Sequence, residues 1–144
     1  MVLIKPDAMA KCLAGHVMTD LYNLKLKMVG LKLVKVSREL AEKHYEEHRK
    51  KPFFEKLVKH LTGELHNGEK VIAIVYEGED AVQKIRDAAG KTHPEDADFA
   101  SIRGKYGRVN AKTDCFENVI HASDSKESAE KEIKLWFKEK ELVE

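Results

Sequence analysis

The chain has only two cysteines in 144 residues, Cys12 and Cys115. They lie far apart and fit no metal-ligand or redox spacing, which suits free thiols in a reducing compartment and leaves no disulfide framework. No apolar run reaches membrane-spanning length, and the short run from Val2 to Ile4 is stopped by Lys5 and Pro6, so neither a spanning helix nor a signal peptide is read. No Asn-x-Ser/Thr acceptor site occurs. An excess of one charge is also lacking, because 26 basic residues against 25 acidic ones give a net +1. No global field then draws the chain to nucleic acid or membrane, and any anion site must be local. There is no linker, repeat or low-complexity stretch. The expectation is a single cytoplasmic domain over residues 1–144, burying roughly 70% of its unfolded surface without staples.

What is present is an alternation of strand-like and helix-like segments. VLIK (2–5) reads as a strand; Leu13, Val17, Leu21 and Leu24 share one helical face; Val29, Leu31 and Leu33 alternate with polar neighbours as a second strand. Polar helical segments at 39–48 and 53–61 follow, then VIAIVY (71–76) as a buried strand and 79–89 as a helix. NVIH (118–121) ends as a strand. Ser123, Asp124 and Ser125 are helix-capping types, and Ala129, Ile133, Trp136 and Phe137 recur at helical spacing beyond them. Two βαβ-like halves on four strands predict an α/β (α+β) fold, a ferredoxin-like sandwich whose antiparallel four-stranded sheet carries helices on one face. Strand order is not readable. Residues 91–117, rich in turn formers and charge, are expected to form a long loop before the last strand.

Two short motifs fail on inspection. Gly90-Lys91-Thr92 ends like a P-loop, but Ile85 stands where the first glycine must be, and a helix precedes it instead of a strand. Lys91 and Thr92 remain available to touch phosphate by another geometry. His44, Glu47 and His48 match H-x-x-E-H, an inverted zincin pattern. A zinc hydrolase would need a third ligand and a larger body, so a solvated helix face is the simpler reading.

The stronger signal is scattered. Lys5 and Asp7 end the first strand, Arg86 closes a helix, Thr92 and Arg103 lie in the long loop, and His121 ends the last strand. Arginine and lysine converging at element ends are what a polyphosphate requires, because guanidinium forks fix phosphate oxygens in pairs. His121 sits where a strand hands over to a helix. Its uncharged imidazole nitrogen is a nucleophile near neutral pH, and attack on a terminal phosphorus would give a phosphohistidine.

LIKPDA, HYEEHRKKPFF, IRDAAGKTHP, SIRG and NVIHASDSKESAEKEI together resemble the nucleoside diphosphate kinase family nearly end to end. The resemblance implies a ferredoxin-like domain that passes a γ-phosphoryl group from a nucleoside triphosphate to a nucleoside diphosphate. It implies ping-pong transfer through a histidine phosphoenzyme, with Mg²⁺ carried on the nucleotide phosphates and no protein metal site. On this resemblance His121 matches the nucleophile, and Glu132 the acid on its other ring nitrogen. Ser123 matches a residue assisting at the transferring phosphate. Lys5 and Asn118 match those holding the ribose hydroxyls and, for Lys5, the phosphate in flight. Tyr45, Arg86, Thr92 and Arg103 match the phosphate clamp, and Phe53 and Leu57 the apolar pair around the base.

Stacking on a ring face would tolerate all bases. Phe54 is expected in the core, and His16, His60, His66 and His93 as core or solvated histidines. The first strand is expected to be short, Ala122 replaces a glycine that many members carry, and residues 104–117 exceed the usual linker. The chain ends at LVE without the tail of longer members. Assembly into a homo-oligomer, a hexamer or tetramer, is implied, with Pro94 and its loop as a subunit contact. Besides the zinc hydrolase, a nucleic-acid or regulatory nucleotide-binding module without turnover stays open.

Overall fold

A computed structural model describes residues 1–68 and 70–143. The strands are β1 (Val2–Ile4), β2 (Lys27–Lys35), β3 (Lys70–Glu77), β4 (Arg108–Asn110), β5 (Cys115–Glu117) and β6 (Ile120–Ala122). The helices are α1 (Pro6–Ala10), α2 (Ala14–Tyr22), α3 (Arg38–His44), α4 (Phe54–Leu61), α5 (Ala81–Ala89), α6 (Ile102–Tyr106) and α7 (Lys126–Trp136). The main sheet runs β2-β3-β1-β6 with every pairing antiparallel. This is the expected ferredoxin-like sheet, and it puts the short strand β1 at its centre, where Val2, Leu3 and Ile4 are fully buried.

Alternation along the strands builds two cores. Val2, Ile4, Ile74, Tyr76 and Ile120 face Val17 and Leu21 of α2 and Ile85 and Ala89 of α5. Leu3, Ala73 and Val75 face Ala41 of α3, Val58 and Leu61 of α4, and Trp136. The helices therefore cover both faces of the sheet and not one. The segment between β2 and β3 carries its own amphipathic helices, and these need a second apolar surface. Phe54 packs on this second cluster.

Three local differences from the sequence reading have physical causes. Residues 6–10 form a helical turn with Pro6 at its first position, where the missing N–H costs nothing. The segment read as one helix over 39–48 ends at His44 and continues as a 3₁₀ turn, Glu46–His48. The stretch 91–117 is organised: it holds a 3₁₀ turn at Pro94–Asp96, α6, and the hairpin β4–β5. Three-residue strands are too short to show a periodicity, and what fixes the hairpin is a polar residue. Glu117, 1% exposed, accepts from Arg108 at 2.7 Å and Asn110 at 2.5 Å, and pairs with Lys11 of the α1–α2 connection.

Candidate active site

His121 projects from the middle of β6, between buried Ile120 and Ala122, so the strand's two-residue period turns it to the opposite face, above Leu3 and toward α3 and α7. Glu132 lies on α7, whose start is fixed by Ser125: its hydroxyl accepts from the Ser128 N–H at 3.0 Å. The helix brings Glu132 Oε1 to 2.8 Å from His121 Nε2, while Oε2 accepts from the Ser123 hydroxyl at 2.5 Å. Burial alone would raise the Glu132 pKa, but the bonds from His121 and Ser123 and the imidazole charge hold it below the ordinary value. An ionised carboxylate only accepts, so in the neutral ring Nε2 carries the proton and Nδ1 presents its lone pair.

Around His121 lies a cleft of about 650 Å³. It gathers Leu57, Arg86, Arg103 and Glu132 from four helices and Lys5, Tyr45, Phe53, Thr92 and Asn118 from the connections between elements. Lys5, 7% exposed, bonds the Asn118 side-chain oxygen, and Asn118 Nδ2 donates to the Thr92 carbonyl at 2.8 Å. Burial lowers the Lys5 pKa, and the Asp7 charge opposes this. Arg103 donates through Nη1 to Gly90 O at 2.8 Å and through Nη2 to Ile120 O at 3.0 Å, tying the end of α5 to the active strand. Its pKa falls to about 10, from burial first and then neighbouring Arg86, so the Arg103 guanidinium stays charged at neutral pH. Gly90 has φ +82, and a Cβ there would stand 2.3 Å from Ser101 Oγ, so this helix end requires glycine. It is a helix end and not a P-loop.

Ser123 is the expected site residue that does not line the cleft. It is 3% exposed, and its hydroxyl faces Glu132.

His44 is the residue that sequence reasoning missed. Its ring stands edge-on to His121 with centroids 4.5 Å apart, and its Nδ1 accepts from the Trp136 indole N–H at 3.2 Å. Indole only donates, so the His44 proton must sit on Nε2, which is buried and has no hydrogen-bond partner. Burial, then the neighbouring His121, pushes its pKa down to about 3. The result is a neutral N–H donor fixed beside the nucleophile. Its place directly before the matched Tyr45 was the available signal; the Trp136 partner, 92 residues along the chain, was not.

Among the described residues, the group able to share a cation is His44, His121 and Glu132, and not the H-x-x-E-H set. The helix break at Tyr45 separates His48 from His44. The Trp136 bond also takes the His44 Nδ1 lone pair and leaves a proton on Nε2, so that ring presents no free lone pair to a cation. Among the described carboxylates of the cleft, Glu132 has both oxygens engaged, Glu47 pairs with Lys131 at 3.3 Å, and Asp124 is bonded by Ser128 and Ser125.

The sequence profile of the family described as Nucleoside diphosphate kinase matches residues 1–142. The chain belongs to this family. A nucleoside diphosphate kinase of Pyrococcus horikoshii is 49% identical over 144 residues, covering 100% of this chain and 87% of the relative. Among solved structures, the halophilic nucleoside diphosphate kinase of Halobacterium salinarum in complex with CDP superposes with TM-score 0.87 at 40% identity. It covers 99% of this chain and 89% of that one. A transition state mimic of nucleoside diphosphate kinase from Borrelia burgdorferi, with bound vanadate and ADP, gives TM-score 0.88 at 30% identity, covering 99% and 88%.

Proposed function

We propose that this protein transfers the γ-phosphoryl group of a nucleoside triphosphate to a nucleoside diphosphate by a ping-pong route through His121. The observation that carries the reading is the Glu132 carboxylate on Nε2, which leaves Nδ1 as a lone pair directed into a cationic cleft. In the first half-reaction Nδ1 attacks the γ-phosphorus. The bond to the β–γ bridging oxygen breaks, its electrons leave with the nucleoside diphosphate, and a phosphohistidine remains. A second diphosphate then attacks that phosphorus, and the N–P electrons return to Nδ1.

Each neighbour has a task in this scheme. Glu132 stabilises the imidazole as charge develops on it, and Ser123 acts as a positioning residue by fixing the second carboxylate oxygen. Lys5, Arg86, Arg103, Thr92 and the Tyr45 phenol, kept protonated chiefly by burial, hold phosphate oxygens in line. His44 offers its Nε2–H to an oxygen of the phosphoryl group. Asn118 and Lys5 take ribose hydroxyls, and Phe53, 45% exposed at the cleft mouth, stacks the base beside Leu57. Mg²⁺ carried on the nucleotide phosphates would neutralise part of their charge. The site is read as cytoplasmic and the protein as a homo-oligomer, a hexamer or tetramer; β2 lies at a sheet edge with Leu31 and Leu33 48% and 58% exposed. Pro94 itself is buried within the chain, so a contact through its loop would fall to exposed Phe99.

Initial rates measured across both nucleotides test the scheme: double-reciprocal plots are parallel if the phosphoryl group passes through the protein, and intersecting if both nucleotides must be bound together.

A further inference from the structure

Beneath the cleft is a second constellation that none of the steps above uses. Val119, a β-branched residue with no exposure, has φ +74, and the Ile120 N–H donates to Asn118 O at 2.8 Å across it. This is a γ-turn of the rare positive-φ kind, a conformation that persists only when surrounding structure imposes it. The turn lies between two site residues: Asn118 precedes it, and Ile120 and His121 follow.

The turn is held from the first strand's exit. The Lys5 N–H donates to Val119 O at 2.9 Å, and the Val119 N–H donates to Asp7 Oδ2 at 2.9 Å. Asp7 is itself held, because His60 Nε2 lies 2.9 Å from its Oδ1 and His60 Nδ1 lies 2.7 Å from Cys115 Sγ. All three side chains are at least 95% buried: Asp7 is 1%, His60 4% and Cys115 5% exposed. The proton order is determined. Burial would raise the Asp7 pKa, but His60, the Lys5 charge and the Val119 N–H outweigh it and keep the carboxylate ionised. Burial and Lys5 push His60 down to about 4, and burial raises the Cys115 thiol. The neutral imidazole then donates through Nε2 to Asp7 and accepts the Cys115 S–H at Nδ1.

We propose that Cys115, His60 and Asp7 are positioning residues for phosphoryl transfer: a buried hydrogen-bonded chain that runs from the hairpin β4–β5 to the Val119 N–H and holds the strained turn that places Asn118 and His121. The proposal rests on the phosphohistidine reading for its kinetic consequence, but the geometry stands without it. It also gives a task to a cysteine, a histidine and an aspartate that are remote in sequence but buried together. Cys115 is shielded and protonated, so it serves as a donor and not a nucleophile.

His60→Leu removes the donor while filling the space, and His60→Gln keeps an N–H that can reach Asp7. In the protein, His60→Leu is expected to lower kcat about tenfold, through His121, and to raise nucleotide KM by a smaller factor, through the ribose contact of Asn118; His60→Gln should recover most of both. The Val119 amide resonance, shifted by its carboxylate acceptor, should move in the Leu variant and return in the Gln variant. Unchanged kcat and an unchanged Val119 amide in folded His60→Leu would overturn the proposal, even if its Tm falls. If that variant does not fold, Cys115→Ala against Cys115→Ser, which retains a hydroxyl donor, decides by the same two readings. If the wild-type protein shows no turnover, the phosphotransfer reading has failed, and the amide alone decides the positioning chain.

Discussion

At the residue scale the chemistry rests on proton placement. His121→Asn removes the imidazole lone pair that attacks phosphorus in this scheme, so transfer should vanish while the circular dichroism of the fold is unchanged. Trp136→Phe leaves the ring packing but frees His44 Nδ1, allowing the proton to leave Nε2. A fall in kcat of about tenfold is expected, the scale of losing one preorganised donor or misaligning it; a variant with wild-type kcat would show that the His44 tautomer is irrelevant. Much of this set was legible in the sequence. Lys5, Asn118, His121 and Glu132 fall in matched motifs, and the cleft assembles them. The His44 tautomer and the Ser123 bond to Glu132 were not legible, because both depend on where a hydrogen points and no spacing encodes that.

At the element scale, alternation and capping residues revealed the four main strands and most helices, while α1, α6 and the hairpin β4–β5 stayed hidden. The hairpin is held by Glu117, whose carboxylate burial would raise, but which Arg108, Lys11 and Asn110 hold down to about 2. Because the folded value lies below the ordinary 4.5, its stabilisation is fully present above about pH 4.5 and is lost as pH falls toward 2. Glu117→Gln should therefore lower Tm at pH 7, by about 3 °C for each kcal/mol lost, and the gap from wild type should close near pH 2. A gap that persists there would assign the effect to packing and not to charge. Ser125→Ala deletes the cap of α7 and should cost about 1 kcal/mol in denaturant unfolding.

At the scale of the whole molecule, two apolar clusters on opposite faces of one sheet leave the cleft along the edge formed by β6, α5, α3 and α7. The sequence predicted a local anion site in a chain of net charge +1, and the cationic side chains Lys5, Arg86, Lys91 and Arg103 do converge there. What it could not show was the second helical layer, because an amphipathic helix declares that it has a partner surface but not which face of the sheet provides it. The layered arrangement matters chemically: α7, packed on one face, carries the carboxylate that sets the nucleophile on the edge strand.

The most direct test of the central claim is the intact mass of the protein after brief exposure to ATP and Mg²⁺, followed by a chase with a different nucleoside diphosphate. The account predicts one added phosphoryl group, acid-labile, mapping to His121, and leaving as the new triphosphate. Turnover without any such adduct, or an adduct on another residue that the chase discharges, would contradict it.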